Sequence, residues 1–352
     1  MSPSFVHSYS KPHGTSLGMA IEASGSRIRL TSVTFDISGT TTSSSTQVFI
    51  TPSTHKRTTA MFFDHVAYCI REFLHTSQAA DRGASQGFLP LGISIGLPVN
   101  GESRVDEDAK EDSLGLLGSS NVMRRMCDAI TRSHLPVRVT SVTNNTVGAL
   151  VAANHADKDT QICVSFNHGI NAAYFESLAN VEYLAENTLS DTVAINTEIG
   201  RFGSLGGDNL RMLPLTMWDR RLDRESRKPG ARILEKLVAD QYLGELVRNL
   251  ITDFMDRQLI FTSEMGEVKP ISKEYAFHTA YMAPIMDDRS ADLESVEAVF
   301  ASEFGICNTC YSDRLVVRRL CEIVAKRASR LAGALLAALV QQQAGHCSCQ
   351  TT

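Results

Sequence analysis

Two hydrophobic rhythms alternate along this chain, and that alternation limits its fold more than any other feature. Ile28 and Leu30 alternate with Arg27 and Arg29, the two-residue period of a half-buried strand. Phe62, Phe63, Val66, Ile70, Phe73 and Leu74 instead recur at helical spacing and predict a helix over Thr59 to Thr76. Strand-like runs cover Met19 to Ala23, Arg27 to Asp36, Gln47 to Thr51, Leu89 to Val99 and Val137 to Val142, and another begins at Gln161. Further helices are predicted over Val122 to Thr131 and Thr146 to Ala153. Strands interleaved with helices imply a layered α/β fold. Gly25 marks a tight turn between the first two strands, and the first three strands suggest an antiparallel meander.

The remaining segments read as connections or as helices with one apolar face. Met1 to Gly18 reads as coil, Ser38 to Thr46 as a loop and Gly101 to Ser120 as an exposed charged loop. Ile233, Leu234, Leu237, Leu243, Leu246, Val247, Leu250 and Ile251 predict one long helix over Ala231 to Met255, its face covered by core. Leu315 to Val340 is the last strong helix, with Arg318, Arg319, Lys326, Arg327 and Arg330 read as a solvated basic stripe. The polar tail Gln341 to Thr352 is expected to fray.

Composition narrows the functional classes. With 352 residues, 43% apolar and 21% charged, the chain can build a sizeable core in roughly two domains. Its 34 basic residues against 39 acidic ones give a net charge of −5, which argues against a nucleic-acid surface. Leu331 to Val340 is about half the length of a membrane span, and no apolar run follows basic residues at the start as in a secretory signal. A soluble, cytoplasmic protein without membrane contact is therefore expected. Cys69, Cys127, Cys163 and Cys321 sit among apolar neighbours and read as buried thiols. Cys307 with Cys310, and Cys347 with Cys349, match no zinc-finger or ribbon spacing, so no metal site is expected.

Five segments lose their generic look when taken together: Met61 to Val66, Val142 to Gly148, Gly169 to Tyr174, Ile195 to Gly203, and Pro229 to Lys236 running on to Tyr242 to Asn249. In this order they resemble the signatures of the hexokinase family, including its N-D-T-V-G, G-T-G-x-N-A and Y-L-G-E-x-V-R elements. The resemblance runs colinearly from Met1 to about Val340. It implies an α/β fold of the actin-like ATPase (ribonuclease H-like) class, a two-lobed hexokinase fold. A small lobe would span residues 1–143 and a large lobe 144–340, with 341–352 as the polar tail. It also implies transfer of the γ-phosphoryl group of Mg-ATP to the 6-hydroxyl of a hexose such as glucose. A protein partner is possible and not identified by any motif.

What the resemblance implies residue by residue is uneven. The sugar ligands correspond to Asn144, Asn171, Glu198 and Glu235, two amides and two carboxylates suited to hexose hydroxyls. The position of the family's catalytic aspartate is Asn145, and an amide can orient a hydroxyl but cannot take its proton. The first phosphate loop corresponds to Glu22 through Arg29, with Gly25, Ser26 and Arg29 as phosphate contacts and Ser24 where a glycine is usual. Asp36-Ile37-Ser38-Gly39-Thr40 is a rival for that loop but leaves the first two strands without a role. The second phosphate loop becomes Asn167-His168-Gly169, with Gly169 retained and His168 read as a loop histidine.

Other family elements are altered. The serine before the family's Phe-Pro is Gly96, and its Trp-Thr-Lys element is not recognisable around Lys110. The family's adenosine-bordering segments have no counterpart before Thr352, so the large lobe is expected to be incomplete at its C-terminus. These features together predict weak or lost catalysis, with noncatalytic hexose sensing or regulation as the alternative.

Overall fold

A computed structural model of the chain describes residues 2–3, 14–22, 25–56, 58–77, 87–96, 121–166, 169–181, 192–204, 212–262 and 270–348. The expectations for Ser24, Lys110, Asn167, His168 and the loop at 101–120 lie outside these residues. By compactness the chain forms two units: Met1–Cys163 with Ala172–Glu198, and Val164–Asn171 with Ile199–Thr352.

The first unit is organised by a five-stranded sheet. Its strands are β2 (Gly14–Ile21), β3 (Arg27–Phe35), β4 (Thr41–Ile50), β5 (Leu89–Ile95) and β6 (Val137–Asn144), in the order β4-β3-β2-β5-β6. β2, β3 and β4 form the expected antiparallel meander, while β5 pairs parallel with both β2 and β6. Leu17, Met19, Ile21, Ile28, Leu30, Leu91, Ile93 and Ile95 all point to one face. There they pack on α1 (Thr59–Ser77) and α2 (Val122–Arg132), whose Phe62, Phe63, Ile70, Phe73 and Met126 are buried in the same core. Helices cover that face because the parallel crossovers into β5 and β6 run through them.

The opposite face carries Gly18, Ala20, Arg29, Thr31, Gly92 and Ser94, residues too small or too polar for a core. A cavity of about 270 Å³ lies over it. β6 leads directly into α3 (Asn145–Ala156), which starts at this face. A second sheet has the order β1-β9-β8-β7, from β1 (Ser2–Pro3), β7 (Ile162–Phe166), β8 (Ile170–Ser177) and β9 (Thr192–Asn196). Val147 and Leu150 of α3 pack on Ala173 of β8 and Ala194 of β9.

The second unit is mainly helical: α4 (Met217–Glu225), α5 (Ile233–Val238), α6 (Asp240–Asp256), α7 (Met282–Asp287), α8 (Glu294–Phe304) and α9 (Tyr311–Ser348). Its larger core joins Leu246, Val247 and Ile251 of α6 to Phe277, Phe300, Phe304 and Val317. Among the described residues no helix is long and apolar enough to cross a membrane.

Several expectations are corrected. The segment Ser38 to Thr46 is not a loop throughout: its serines and threonines extend β4, with Thr46 and Thr31 hydroxyls paired across the strands at 3.0 Å. The coil expected at Met1 to Gly18 already contains β2 from Gly14. The helix expected over Ala231 to Met255 breaks at Ala239, which is extended (φ −75°, ψ 143°), separating α5 from α6. The C-terminal helix continues through the tail to Ser348. Arg327 is not on a solvated stripe; it makes a two-pronged ion pair with buried Asp219, 2.8 Å on each side. Cys69 and Cys321 are buried, and burial pushes both thiols up to about 12, whereas Cys127 is exposed and Cys163 half-buried. Hydropathy of neighbours cannot tell which side of a helix a cysteine occupies.

Candidate functional site

The expected site residues fall in both units. In the first unit, the turn between β2 and β3 is closed by the Gly25 N–H donating to the Glu22 carbonyl at 2.8 Å. Gly25 has φ 61°, a conformation a side chain disfavours, so glycine is the residue the turn needs. The Thr51 N–H donates to the Ser26 carbonyl at 2.8 Å and ties the turn to the end of β4. Glu22 accepts from Arg27 Nε at 2.8 Å.

A cavity of about 200 Å³ opens beside this turn, lined by Ala20, Ile21, Glu22, Arg27, Arg29, Val48, Ser94 and Asn145. Three residues singled out from the sequence, Glu22, Arg29 and Asn145, are therefore brought together. Gly25 and Ser26 shape the turn and do not line the cavity. Two guanidinium groups against one carboxylate leave the lining with a surplus positive charge, which suits phosphate oxygens.

Asn144 and Asn145 are placed by the helix they begin. Asn144 ends β6 as the N-cap of α3, with an extended backbone (φ −65°, ψ 147°) and a side-chain oxygen that accepts from the Thr146 N–H at 2.9 Å. That satisfies one of the helix's unpaired first-turn donors. Asn144 is buried, while Asn145 is the first residue of the helix, exposed, with its side-chain oxygen accepting from the Thr146 hydroxyl at 3.4 Å. A β-carbon on Gly148 would stand 3.3 Å from Thr143 Cγ2 and 3.5 Å from Ser94 Oγ, so glycine lets the first turn of α3 settle onto the sheet.

Glu198 follows β9 in the left-handed conformation, φ 51°, unusual for a residue with a side chain. Its carboxylate accepts from Asn196 Nδ2 at 2.6 Å. The Thr197 N–H and hydroxyl both donate to the Ala172 carbonyl, at 2.9 and 2.8 Å, and hold this strand end against β8.

In the second unit, Gly169 immediately precedes β8 and Asn171 lies half-buried within it. Glu235 is buried on α5. The Leu234 N–H donates to the Phe202 carbonyl at 3.1 Å, which brings the turn Ile199–Arg201 against α5. As a result the Glu235 carboxylate lies beside two glycines. A β-carbon on Gly169 would stand 2.7 Å from Glu235 Oε2, and one on Gly200 would stand 2.9 Å from it. On its own helix, Arg232 reaches Glu235 at 3.5 Å from a left-handed backbone (φ 51°) whose N–H donates to Ser204 Oγ at 3.0 Å.

Sequence reasoning passed over Ser94, Arg27, Arg232 and the role of Gly200. Ser94 had a readable signal: two residues from Gly92 in β5, it shares the polar face of an otherwise apolar strand. Gly200 and Arg232 sat inside quoted motifs, but spacing does not show what they touch.

Two sheets with helices packed on them make an α/β fold of the actin-like ATPase class. A family model described as hexokinase matches residues 161–351, and a second one, likewise described, matches residues 1–155. The chain belongs to the hexokinase family. It is 28% identical to hexokinase-1 of Saccharomyces cerevisiae over 97% of this chain and 71% of that protein. It is 32% identical to hexokinase-2 of Equus caballus over 80% of this chain and 29% of that one. Among solved structures, the hexokinase of Schistosoma mansoni complexed with glucose superposes with a TM-score of 0.81 at 25% identity, over 97% of this chain and 75% of the other.

Proposed function

We propose that this chain is a hexose-binding hexokinase in which phosphoryl transfer to the sugar 6-hydroxyl is slowed by about 10²–10⁴ or lost, for want of a general base. The observation that carries the reading is Asn145: an exposed amide at the first position of α3, lining one cavity with Glu22 and Arg29. In the family's pattern a carboxylate stands there. Its replacement leaves a group able to donate to, or accept from, the attacking hydroxyl but without a site that holds its proton near neutral pH.

Sugar binding rests on Asn144, Asn171, Glu198 and Glu235. A hexose recognised by several fixed polar groups is held tightly, because each group left unpaired in a closed site is costly. Glucose in the Schistosoma mansoni relative supports a glucose-like ligand. The lobes in this reading are residues 1–143 and 144–340.

Mg-ATP is the phosphoryl donor in the family reading, and the β2–β3 turn fits its phosphates through Arg27, Arg29 and the Gly25 turn. Mg²⁺ keeps several waters and needs only one or two carboxylates besides phosphate oxygens; Glu22 is the carboxylate at this turn. When bound, Mg-ATP supplies the γ-phosphoryl group. Arg29 neutralises phosphate charge, and Asn145 orients the sugar hydroxyl without removing its proton. Gly169 is carried into this reading as a contact of the second phosphate loop.

Family membership favours a second reading, a working hexose 6-phosphotransferase. Calorimetry with glucose and a coupled assay with glucose and Mg-ATP separate the two. Hexose binding with turnover far below ordinary kinases supports the first; ordinary turnover supports the second; no binding of any hexose refutes both.

A further inference from the structure

Gly169 and Gly200 flank the same carboxylate, but they differ in what a side chain there would strike. A β-carbon on Gly200 would come within 2.8 Å of the Ile170 carbonyl oxygen as well as 2.9 Å of Glu235 Oε2. The backbone oxygen cannot step aside, so that glycine is needed by the fold itself. For a β-carbon on Gly169 the three nearest atoms all belong to Glu235: Oε2 at 2.7 Å, Cδ at 3.1 Å and Oε1 at 3.7 Å. Gly169 is not among the residues with positive φ, so its backbone accepts alanine. The neighbour it would displace is the movable end of a side chain. What the missing side chain protects is therefore the position of one carboxylate, not the fold.

We infer that Gly169 is a positioning residue for hexose recognition, acting through Glu235 by leaving the space in which that carboxylate is held. The inference rests on the hexose reading above and deepens it, giving Gly169 a task besides a phosphate contact. Arg232 holds the carboxylate at 3.5 Å, the Gly169 and Gly200 sites leave it room, and the buried helix α5 fixes its stem. A methyl group at 169 rotates the carboxylate out of that place. Hydrogen bonds to sugar hydroxyls are strict in distance and angle, so the displacement is felt in affinity.

The test is a double-mutant cycle on the whole chain, read by calorimetry with glucose and by thermal melting. Gly169→Ala is expected to weaken glucose binding at least tenfold while melting within a few degrees of the wild type. In a Glu235→Gln background, already weakened, the same change is expected to alter affinity less than about twofold. Glu235→Asp, whose shorter side chain clears the added methyl, is expected to recover part of the loss in the Gly169→Ala chain. Gly333→Ala on α9, where a β-carbon meets nothing within 4 Å, serves as the neutral control. Unchanged affinity in Gly169→Ala, an equal loss in both backgrounds, or its unfolding would overturn the inference and leave the hexose reading standing. Wild-type protein that binds no hexose would overturn both.

Discussion

The side-chain oxygen of Asn144 accepts from the Thr146 backbone N–H at 2.9 Å, and this bond sets the first turn of α3 on which Asn145 stands. One residue thus serves as helix cap and as candidate sugar ligand. Asn144→Ala is expected to destabilise the first unit by about 1 kcal/mol, the usual worth of such a cap. Asn144→Asp should retain most of the stability. Urea unfolding of the three proteins checks this; equal midpoints for wild type and alanine would show that the cap contributes nothing.

Arg327 and Asp219 join α9 to α4. Both terminal nitrogens of the guanidinium, Nη1 and Nη2, lie 2.8 Å from the carboxylate, which also accepts from the Thr216 N–H at 2.7 Å. The Asp219 side chain is 1% exposed. Removing the cation leaves a buried charge without its main partner, so Arg327→Ala is expected to destabilise by about 3–5 kcal/mol. Thermal melting should show the loss, and a second substitution, Asp219→Asn, should restore part of it.

Asp288 holds the start of α8, accepting from the Ser290 hydroxyl at 2.6 Å, the Ser290 N–H at 2.8 Å and the Ser295 N–H at 2.7 Å. These bonds, the Ser290 hydroxyl first, lower its pKa from 3.8 to about 2. A carboxyl with a depressed folded pKa contributes stability above its ordinary value and loses it as pH falls through the folded one. The gap in melting temperature between wild type and Asp288→Asn should therefore be full above pH 3.8 and shrink as pH falls toward about 2. A gap independent of pH would refute the assignment.

Asn145→Asp returns a carboxylate to the first position of α3 without changing the side chain's size. Glucose 6-phosphate formation is expected to rise about 10²-fold or more, the ordinary contribution of a general base. Glucose affinity measured by calorimetry should stay within about twofold. A rate unmoved by this change would locate the defect elsewhere than in proton removal.

Much of this was legible in the sequence, for identifiable reasons. The sheet core showed itself because Ile28 and Leu30 alternate with Arg27 and Arg29 and because Leu89 to Ile95 is a short apolar run. The strand Val137 to Val142 and the helix from Thr146 were legible, but the Asn144 cap that joins them was not read. Only the end of β4, Gln47 to Ile50, was legible; its first half stayed hidden because a run of serines and threonines carries no apolar rhythm. The break at Ala239 was hidden as well, since apolar spacing continues across it from Leu237 to Leu243. Asp219 is far in sequence from Arg327, as Gly169 and Gly200 are from Glu235, and no local period encodes such contacts.

Steady-state formation of glucose 6-phosphate from glucose and Mg-ATP, measured on the purified wild-type chain beside calorimetric glucose binding, tests the central claim most directly. Clear sugar binding is predicted with turnover at least about 100-fold below the 1–100 s⁻¹ of ordinary kinases. Turnover within that ordinary range would contradict it.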